Sequence, residues 1–346
     1  MKKEKMPQRC GAFPQLFAWL LVLPLAGCAC SAETALQEVF GLSAEAPEFT
    51  GWRAVSTEEL SFSFSLPVSV KSVQLEPPLE IASITGGSEV RLFLAAPCEG
   101  GIKITADMLV EDAFGNTLQV LTPLRARNDR MPALLINEVR TEYSKPKVEF
   151  IEFYTLSAGN LGGMRLYLGG TPEDTPFYEF SPIEVADEEY IVLHLRTLDE
   201  ECQDETGEDL AAIPYTKENE ARISARDLWI PGAVKNINKK GAAVYLVDQD
   251  DRVLDALIFC DDSSGWWKDE KMAQAAEFLA AADAWTGSEG GMSGPADAAS
   301  SAGVTATRTL NRRPDYPDSN TASDWYVTVT SGNSPGQGNN ENVYQP

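Results

Sequence analysis

Histidine and positive charge are both scarce in this sequence, and each shortage excludes classes of function. Among 346 residues there is one histidine, His194. Metal sites built on two or three imidazoles, and mechanisms that need two imidazole groups, are therefore excluded. The chain has 28 basic against 52 acidic residues and a net charge of −24. Because this charge repels phosphates, we expect no sequence-independent binding of nucleic acid.

The apolar run near the N-terminus is too short for a membrane-spanning helix. It covers Leu16–Leu25, whereas a helix needs roughly 20 apolar residues to cross a bilayer. A basic segment containing three lysines and Arg9 precedes it. A basic head followed by a short apolar run is the layout of an export signal.

The residues that end this run, Leu25-Ala26-Gly27-Cys28, resemble the lipobox of bacterial lipoproteins. The resemblance implies that residues 1–27 are a signal peptide and that Cys28 becomes an acylated first residue, carrying chains such as palmitate. Ala29, rather than aspartate, follows the cysteine, which by analogy favours the outer membrane of a two-membrane cell, facing the periplasm or the exterior. The alternative is an ordinary signal that ends near Ala32 and removes Cys28.

Cysteine spacing gives little further information. Four cysteines would follow Cys28 in the mature chain, and none of them forms a CxxC pair or another metal-binding spacing. Cys98 and Cys260 end apolar runs, so we interpret them as buried thiols, and a Cys202–Cys260 disulfide is the open alternative. The pairing state of Cys30 is not predicted.

Alternating apolar residues and regular turn signals predict an all-β fold with two tandem β-sandwich domains. Residues 28–49 lack an apolar pattern and are interpreted as a tether, and residues 50–128 form the first domain. Strict alternation in Leu60–Leu66, followed by short strands between glycine and proline pairs, is typical of a sandwich. Within this domain Asp112 and Asn116 are interpreted as turn-capping residues, with calcium ligation as the alternative.

Two family resemblances support this division into domains. The Asp and Gly-Asn turn in Val110–Leu118 resembles the closing hairpin of bacterial Ig-like domains. From residue 133 to 340, several motifs in order resemble a lamin-tail domain. They include Ile136-Asn137-Glu138-Val139, Glu149–Tyr154, Asn238–Asp248, Asn320–Trp325 and Ser334-Pro335-Gly336. The resemblance implies an Ig-like fold that is used for interactions and has no catalytic residues or cofactor. Ile136 and Val139 are predicted to lie on opposite strand faces, and Asn137 to need a polar partner if buried.

The second domain departs from the lamin-tail pattern by two insertions. The first, residues 196–228, is acidic. The second, residues 261–303, contains a helix predicted over Asp269–Trp285 from apolar residues at three- and four-residue steps, followed by a flexible loop. Three tryptophans flank this helix: Trp266, Trp267 and Trp285. They either pack the helix onto the sandwich or form an aromatic patch for a protein or glycan partner.

Acidic residues in turns are the only candidates for a metal site, and they are weak ones. Asp248 and Asp250 lie in a segment that lacks the glycine and glutamate of an EF-hand loop, so a hairpin turn is the better interpretation. Asp318 and Asp324 are likewise interpreted as turn residues. The alternative is weak surface binding of a cation at Asp248 and Asp250, and a structural divalent ion at Asp318 and Asp324.

Three further motifs point away from catalysis. Gly332–Gly336 matches the G-x-S-x-G pattern, but Pro335 has no N–H to donate to an oxyanion, and only ten residues follow the motif. Glu149 and Glu152 point to opposite faces of one strand, so they make a poor glycosidase pair. His194 lies in mid-strand and is interpreted as a surface or satisfied core residue.

Taken together, these patterns predict a non-catalytic, lipid-anchored protein of a bacterial cell envelope. It would contact the membrane through its acyl anchor and bind a protein or glycan through Ig-like surfaces, without a cofactor. The alternative is an accessory or catalytic component of an envelope hydrolase that uses carboxylates and a divalent cation.

Overall fold

The computed structural model describes residues 45–198, 202–208, 210, 222–262, 265–287 and 294–346. The predicted signal peptide, Cys28, Cys30 and nearly all of the predicted tether lie outside the described residues. Residues 46–346 group into one unit.

The first part of this unit is a six-stranded sheet whose strands follow one another from residue 49 to residue 125. Its strands are β1 (Phe49–Ala54), β2 (Glu59–Glu76), β3 (Ile81–Thr85), β4 (Gly87–Leu94), β5 (Lys103–Asp112) and β6 (Thr117–Arg125). The strand order is β3-β4-β2-β5-β6, with β1 paired to β2.

The long strand β2 changes partners along its length and so closes this sheet around a core. Its first half pairs with β4 and β1, and from Val68 onward it pairs with β5. The sequence predicts two strands here, Leu60–Leu66 and Val68–Leu75, whereas the structure has one continuous strand. β1 lies against β6, and the alternating residues Leu60, Phe62 and Phe64 are buried in the core.

The second part of the unit has two main sheets. The strands of the six-stranded sheet, in spatial order, are β14 (Arg226–Trp229), β13 (Tyr190–His194), β8 (Phe150–Thr155), β7 (Leu134–Arg140), β18 (Leu310–Arg312) and β19 (Trp325–Val327). Those of the five-stranded sheet are β11 (Tyr178–Glu179), β10 (Arg165–Leu168), β15 (Gly241–Val247), β16 (Val253–Cys260) and β17 (Ala299–Ser300). A small two-stranded sheet joins β9 (Gly159–Asn160) to β12 (Glu184–Val185).

The two main sheets share one large hydrophobic core, which includes Phe153 and Leu193 from the first and Leu246 and Phe259 from the second. Burial of apolar surface between two sheets is what stabilises a sandwich. The prediction of an all-β, sandwich-type fold is confirmed. The predicted acidic insertion ends in a strand, β14, which pairs in parallel with β13.

The predicted helix in the second insertion is confirmed, but it is shorter than expected. It is α1 (Glu270–Ala281), and the Asp269 side chain caps it by accepting the N–H of Met272. Its Met272, Ala275, Ala276 and Leu279 face the core. Trp285 lies beyond the helix end, because the chain turns after Ala282, and Asp283 has a positive φ of 55°. Part of the predicted flexible loop forms a 3-10 turn (Pro295–Asp297) and β17.

The two parts of the unit are joined by reciprocal hydrogen bonds. The N–H of Asn128 donates to Gln249 Oε1 at 2.9 Å, and Gln249 Nε2 donates back to the carbonyl of Asn128 at 3.0 Å. Gly101 and Gly162 approach so closely that a Cβ on Gly101 would lie 2.3 Å from the carbonyl carbon of Gly162. These contacts hold the two parts in a defined relative position.

Within the described ranges, the structure contains no helix that is both long enough and apolar enough to span a bilayer.

Candidate functional site

The acidic residues that the sequence offers as weak metal candidates act as turn and cap residues. Asp248 Oδ1 accepts the N–H groups of Asp250 and Arg252 in the β15–β16 hairpin turn, and Asp250 contacts Arg127. Asp324 accepts from the backbone and hydroxyl of Ser319, and Asp318 lies 3.7 Å from Arg312. In the part of the chain that the structure describes, no group of three or more His, Cys, Asp or Glu side chains could hold a metal ion.

Asp112 has the turn-capping role predicted for it. Its Oδ1 accepts the N–H groups of Phe114 and Asn116, and its Oδ2 accepts from the Asn116 side chain at 2.9 Å. These bonds from the turn lower the pKa of Asp112, against the opposing effect of burial. The hairpin between β5 and β6 therefore closes on this carboxylate.

Of the tryptophans and cysteines singled out in the sequence, some are buried and others are exposed. Trp285 is buried in the core, and Trp267 packs against that core from its edge. Trp266 is 94% exposed, so it does not share in this packing. Cys98 and Cys260 are buried free thiols as predicted, so the Cys202–Cys260 disulfide is not formed.

His194 is a buried residue with a partner that the sequence did not reveal. Its Nε2 lies 2.6 Å from Asp227 Oδ1, and its ring stacks on Trp229 at a centroid distance of 3.8 Å. The parallel pairing of β13 with β14 brings these residues together although Asp227 is 33 positions away. This geometry agrees with the interpretation of His194 as a core residue, because its Nε2 has a hydrogen-bond partner.

The most unusual chemistry in the described chain is a pair of buried carboxyl groups, Glu138 on β7 and Glu152 on β8. The two residues are opposite partners in the strand register, and both are fully buried. A β-bulge between Ile136 and Glu138 creates this arrangement. It also places Ile136 and Val139 in the same core, so the prediction that they lie on opposite faces is wrong. An extra residue in one strand shifts the later side chains to the other face.

A C-terminal segment, Ser334–Asn339, caps both carboxyl groups. The Ser334 N–H and hydroxyl donate to Glu138 at 3.0 Å, and the Gly336 N–H donates to Glu152 Oε2. On the other side, Asn137 Nδ2 donates to Glu152 Oε1 at 2.7 Å, and Asn339 donates to Asn137 Oδ1 at 2.8 Å. Asn137 thus has the polar partner that its burial requires. We call Glu138 and Glu152, closed off by these donors, the capped acid pair.

The electrostatics of the capped acid pair favour retention of a proton. Burial raises the pKa of Glu138, and burial together with the nearby charge of Glu138 raises the pKa of Glu152 well above its usual range. Hydrogen bonds from Ser334 and Gly336 act in the opposite direction. Two adjacent carboxyl groups ionise together only at high cost. The pair therefore keeps a proton to a higher pH than ordinary carboxyl groups do.

Asn137-Glu138, Glu152 and Ser334–Gly336 all lie in motifs of the sequence, but nothing in the sequence predicts that they meet. Glu152 pairs there with Glu149 as a candidate, and Ser334 belongs both to a lamin-tail-like motif and to an accidental G-x-S-x-G match. The signal that could have joined them is chemical: Ser-Pro-Gly supplies two N–H donors that need acceptors, and two buried glutamates need donors. This arrangement fixes the C-terminal segment to the sheet, because the Ser334 and Gly336 N–H groups donate hydrogen bonds to Glu138 and Glu152.

A search of curated proteins finds a relative in Treponema pallidum (strain Nichols), a protein described as "Uncharacterized protein". It is 31% identical over 142 residues, which are 40% of this chain and 34% of the relative. The chain thus matches only about a third of that protein's length.

Among solved structures, the N-terminal part of the bacterial S-layer protein SbsC shares 13% identity, with a TM-score of 0.23, over 40% of this chain and 38% of that one. A score this low carries no argument about this chain.

A family model described as "TP_1001_2nd: protein second domain" matches residues 132–327. The matched range begins one residue before the predicted start of the second domain and covers the two main sheets and the helix α1. Since the match spans more than half of the sequence, the chain belongs to the family described as "TP_1001_2nd: protein second domain".

Proposed function

We propose that this chain is a lipid-anchored, non-catalytic protein of a bacterial cell envelope, with a lamin-tail-like second domain, that binds other molecules through the surface of its rigid β body. The observation that carries the proposal is the closure of the capped acid pair. A catalytic acid or base must come within hydrogen-bond reach of the substrate. Glu138 and Glu152 have no exposed surface, and their oxygens are bonded to protein donors.

The contacts of this site also support the lamin-tail part of the proposal. Motifs that carry the resemblance and lie far apart in sequence, Asn137-Glu138, Glu152 and Ser334–Gly336, bond directly to one another. A set of motifs that forms one closed network has a structural reason to occur together.

Sequence and charge support the anchored location. The Leu25-Ala26-Gly27-Cys28 motif provides the thiol for acylation, and residues 28–49 would separate it from the first sheet. The body is strongly acidic. An acidic body on an acyl anchor is held away from an anionic lipid surface, because like charges repel. Its surfaces would then be free to meet partners.

Metabolic labelling with palmitate tests the anchor. We expect label in the wild-type chain and in a Cys30→Ala variant, which changes the neighbouring cysteine, but none in Cys28→Ala. Label retained by Cys28→Ala would refute acylation at that thiol.

A thermal-unfolding scan with calcium and with EDTA tests the non-catalytic part against the hydrolase alternative. A protein that binds a divalent ion only when folded is stabilised by it. We expect one melting temperature under both conditions. A higher melting temperature in calcium that EDTA reverses, and that Asp248→Asn or Asp324→Asn removes, would favour the metal-dependent alternative.

A further inference from the structure

A cleft of about 680 Å³ lies where the first sheet meets the second domain. Strands β1, β5 and β6 line one side of it, and the other side is lined by Gly163, Arg165, Glu179, Gln249 and Asp250. Reciprocal bonds between Asn128 and Gln249 hold these two sides together. Since its walls belong to two parts that are bonded to each other, the cleft is a preformed space, as small-molecule sites commonly are.

Basic side chains from both sides meet at the cleft. Five of the lining residues are basic, and Glu179 and Asp250 are the acidic ones among them. Three of the five basic residues, all arginines, are held closely by carboxylates. The positive charge available to a ligand is therefore that of the other two, Arg53 and Lys103. Opposite charges a few ångströms away act strongly, whereas charges beyond about 8 Å are largely screened at physiological salt.

Two of these cations have donors to spare for a ligand. Arg53 approaches a carboxylate, that of Glu89, only at 4.0 Å, and its side chain is 71% exposed. Lys103 is 76% exposed and shares Glu179 with Arg125, which holds that carboxylate more closely. A lysine ammonium has three donors and an arginine guanidinium five. One distant or shared carboxylate leaves most of them available.

Trp52 supplies the exposed apolar surface of the cleft, with 41% of its surface exposed. Ile104 and Leu124 lie beneath the lining, because both are buried in the core of the first sheet. An exposed tryptophan beside cations suits a ligand with a flat apolar or aromatic body.

We propose that this cleft binds a small organic anion, a molecule with an apolar or aromatic body and one acidic group. The body lies against Trp52, and the acidic group contacts Arg53 and Lys103. The site adds to the proposed function and is independent of the acyl anchor, so its failure would leave the anchored, non-catalytic role unaffected.

Fluorescence titration of the full chain with anilinonaphthalene sulfonate, an aromatic anion, tests the proposal. The matched neutral probe is N-phenylnaphthylamine, which has the same ring body without the acidic group. We expect saturable binding of the anion at one site per chain and weaker binding of the neutral amine. The double variant Arg53→Ser/Lys103→Ser should weaken anion binding about tenfold or more, because it removes both contacts to the acidic group while the exposed positions leave the fold unchanged.

Two further variants complete the test. Lys71→Ser removes a half-exposed lysine whose partner is Glu111 and which does not line the cleft, so it should leave binding of the anion unchanged. Trp52→Ala should weaken binding of both probes, because both have the ring body. Equal affinity of the wild type and Arg53→Ser/Lys103→Ser, equal affinity for the two probes, or no saturable binding would each overturn the proposal.

Discussion

Replacing Arg312 by methionine tests how the two main sheets of the second domain are joined. Arg312 lies on β18 in one sheet, and Nη2 of its guanidinium contacts Asp255 Oδ2 on β16 in the other at 2.6 Å. Both side chains are 1% exposed. The guanidinium also stacks over Trp325, and its Nε donates to the carbonyl of Ile136.

The cost of the change follows from the burial of this pair. Burial raises the pKa of Asp255 to about 6, and Arg312 opposes that rise. At pH 7.5 the carboxylate is therefore charged, and losing Arg312 leaves it buried without a counter-charge. Breaking a buried ion pair in this way costs about 3–5 kcal/mol, which at an m-value of about 3 kcal/mol/M lowers a urea midpoint by roughly 1–1.7 M. A domain stability of about 5–15 kcal/mol leaves the variant folded in water.

Urea unfolding at pH 5 and pH 8 measures this cost. In Arg312→Met the pKa of Asp255 rises further, so the cost is smaller at pH 5, where the carboxyl group takes up a proton, than at pH 8. Asp255→Asn/Arg312→Met should recover much of the loss, since the amide oxygen can still accept the N–H of Ile136. The matched control is Arg130→Met, because the Arg130–Glu184 pair is 69% and 55% exposed and should contribute less than about 1 kcal/mol. A cost of Arg312→Met below that of the control would refute the reasoning.

The remaining predictions concern the capped acid pair and the helix. Glu152 has a raised pKa in the folded state, so the folded chain binds more protons than the unfolded chain above the ordinary value of 4.5, and stability falls as pH rises through that window. Glu152→Gln should reduce this fall, measured as urea midpoints from pH 5 to pH 8. Trp285→Ala should cost about 3–5 kcal/mol by leaving a cavity in the core, whereas Trp266→Ala, at a 94% exposed position, should change the unfolding free energy by less than about 0.5 kcal/mol.

Specific results would contradict these two predictions. If Glu152→Gln kept the same pH slope as the wild type, the pair would not hold its additional proton. If Trp266→Ala destabilised the chain as much as Trp285→Ala, the exposed tryptophan would have an unrecognised packing role.

Strand positions in this chain are predictable because burial alternates with sequence. In Leu60–Leu66 the alternating residues Leu60, Phe62 and Phe64 enter the core, and the pattern therefore locates the strand. The pattern does not show that β2 continues past Leu66, because the change of partner at Val68 depends on β4 and β5. The helix end was misplaced for a similar reason, since Trp285 continues the apolar spacing after the chain has already turned.

The capped acid pair could not be predicted from the sequence. Glu138 and Glu152 are opposite one another only because a bulge shifts the register after Ile136, and a bulge leaves no clear mark on the sequence. Ser334 is 196 positions from Glu138, and only the return of the C-terminal segment across the sheet brings them together. A family resemblance shows that these motifs occur in one sequence, and the hydrogen bonds between them give a physical reason why they do.

Carboxyl footprinting with a carbodiimide and a glycine ester, followed by peptide mapping, tests most directly the claim that the acids of this site are sealed and structural. At neutral pH we expect rapid modification of exposed carboxylates such as Glu184 and Asp251, and protection of Glu138 and Glu152 for as long as the chain is folded. Modification of Glu138 or Glu152 at the rate of the exposed carboxylates would refute this claim, because the pair would then be open to a substrate.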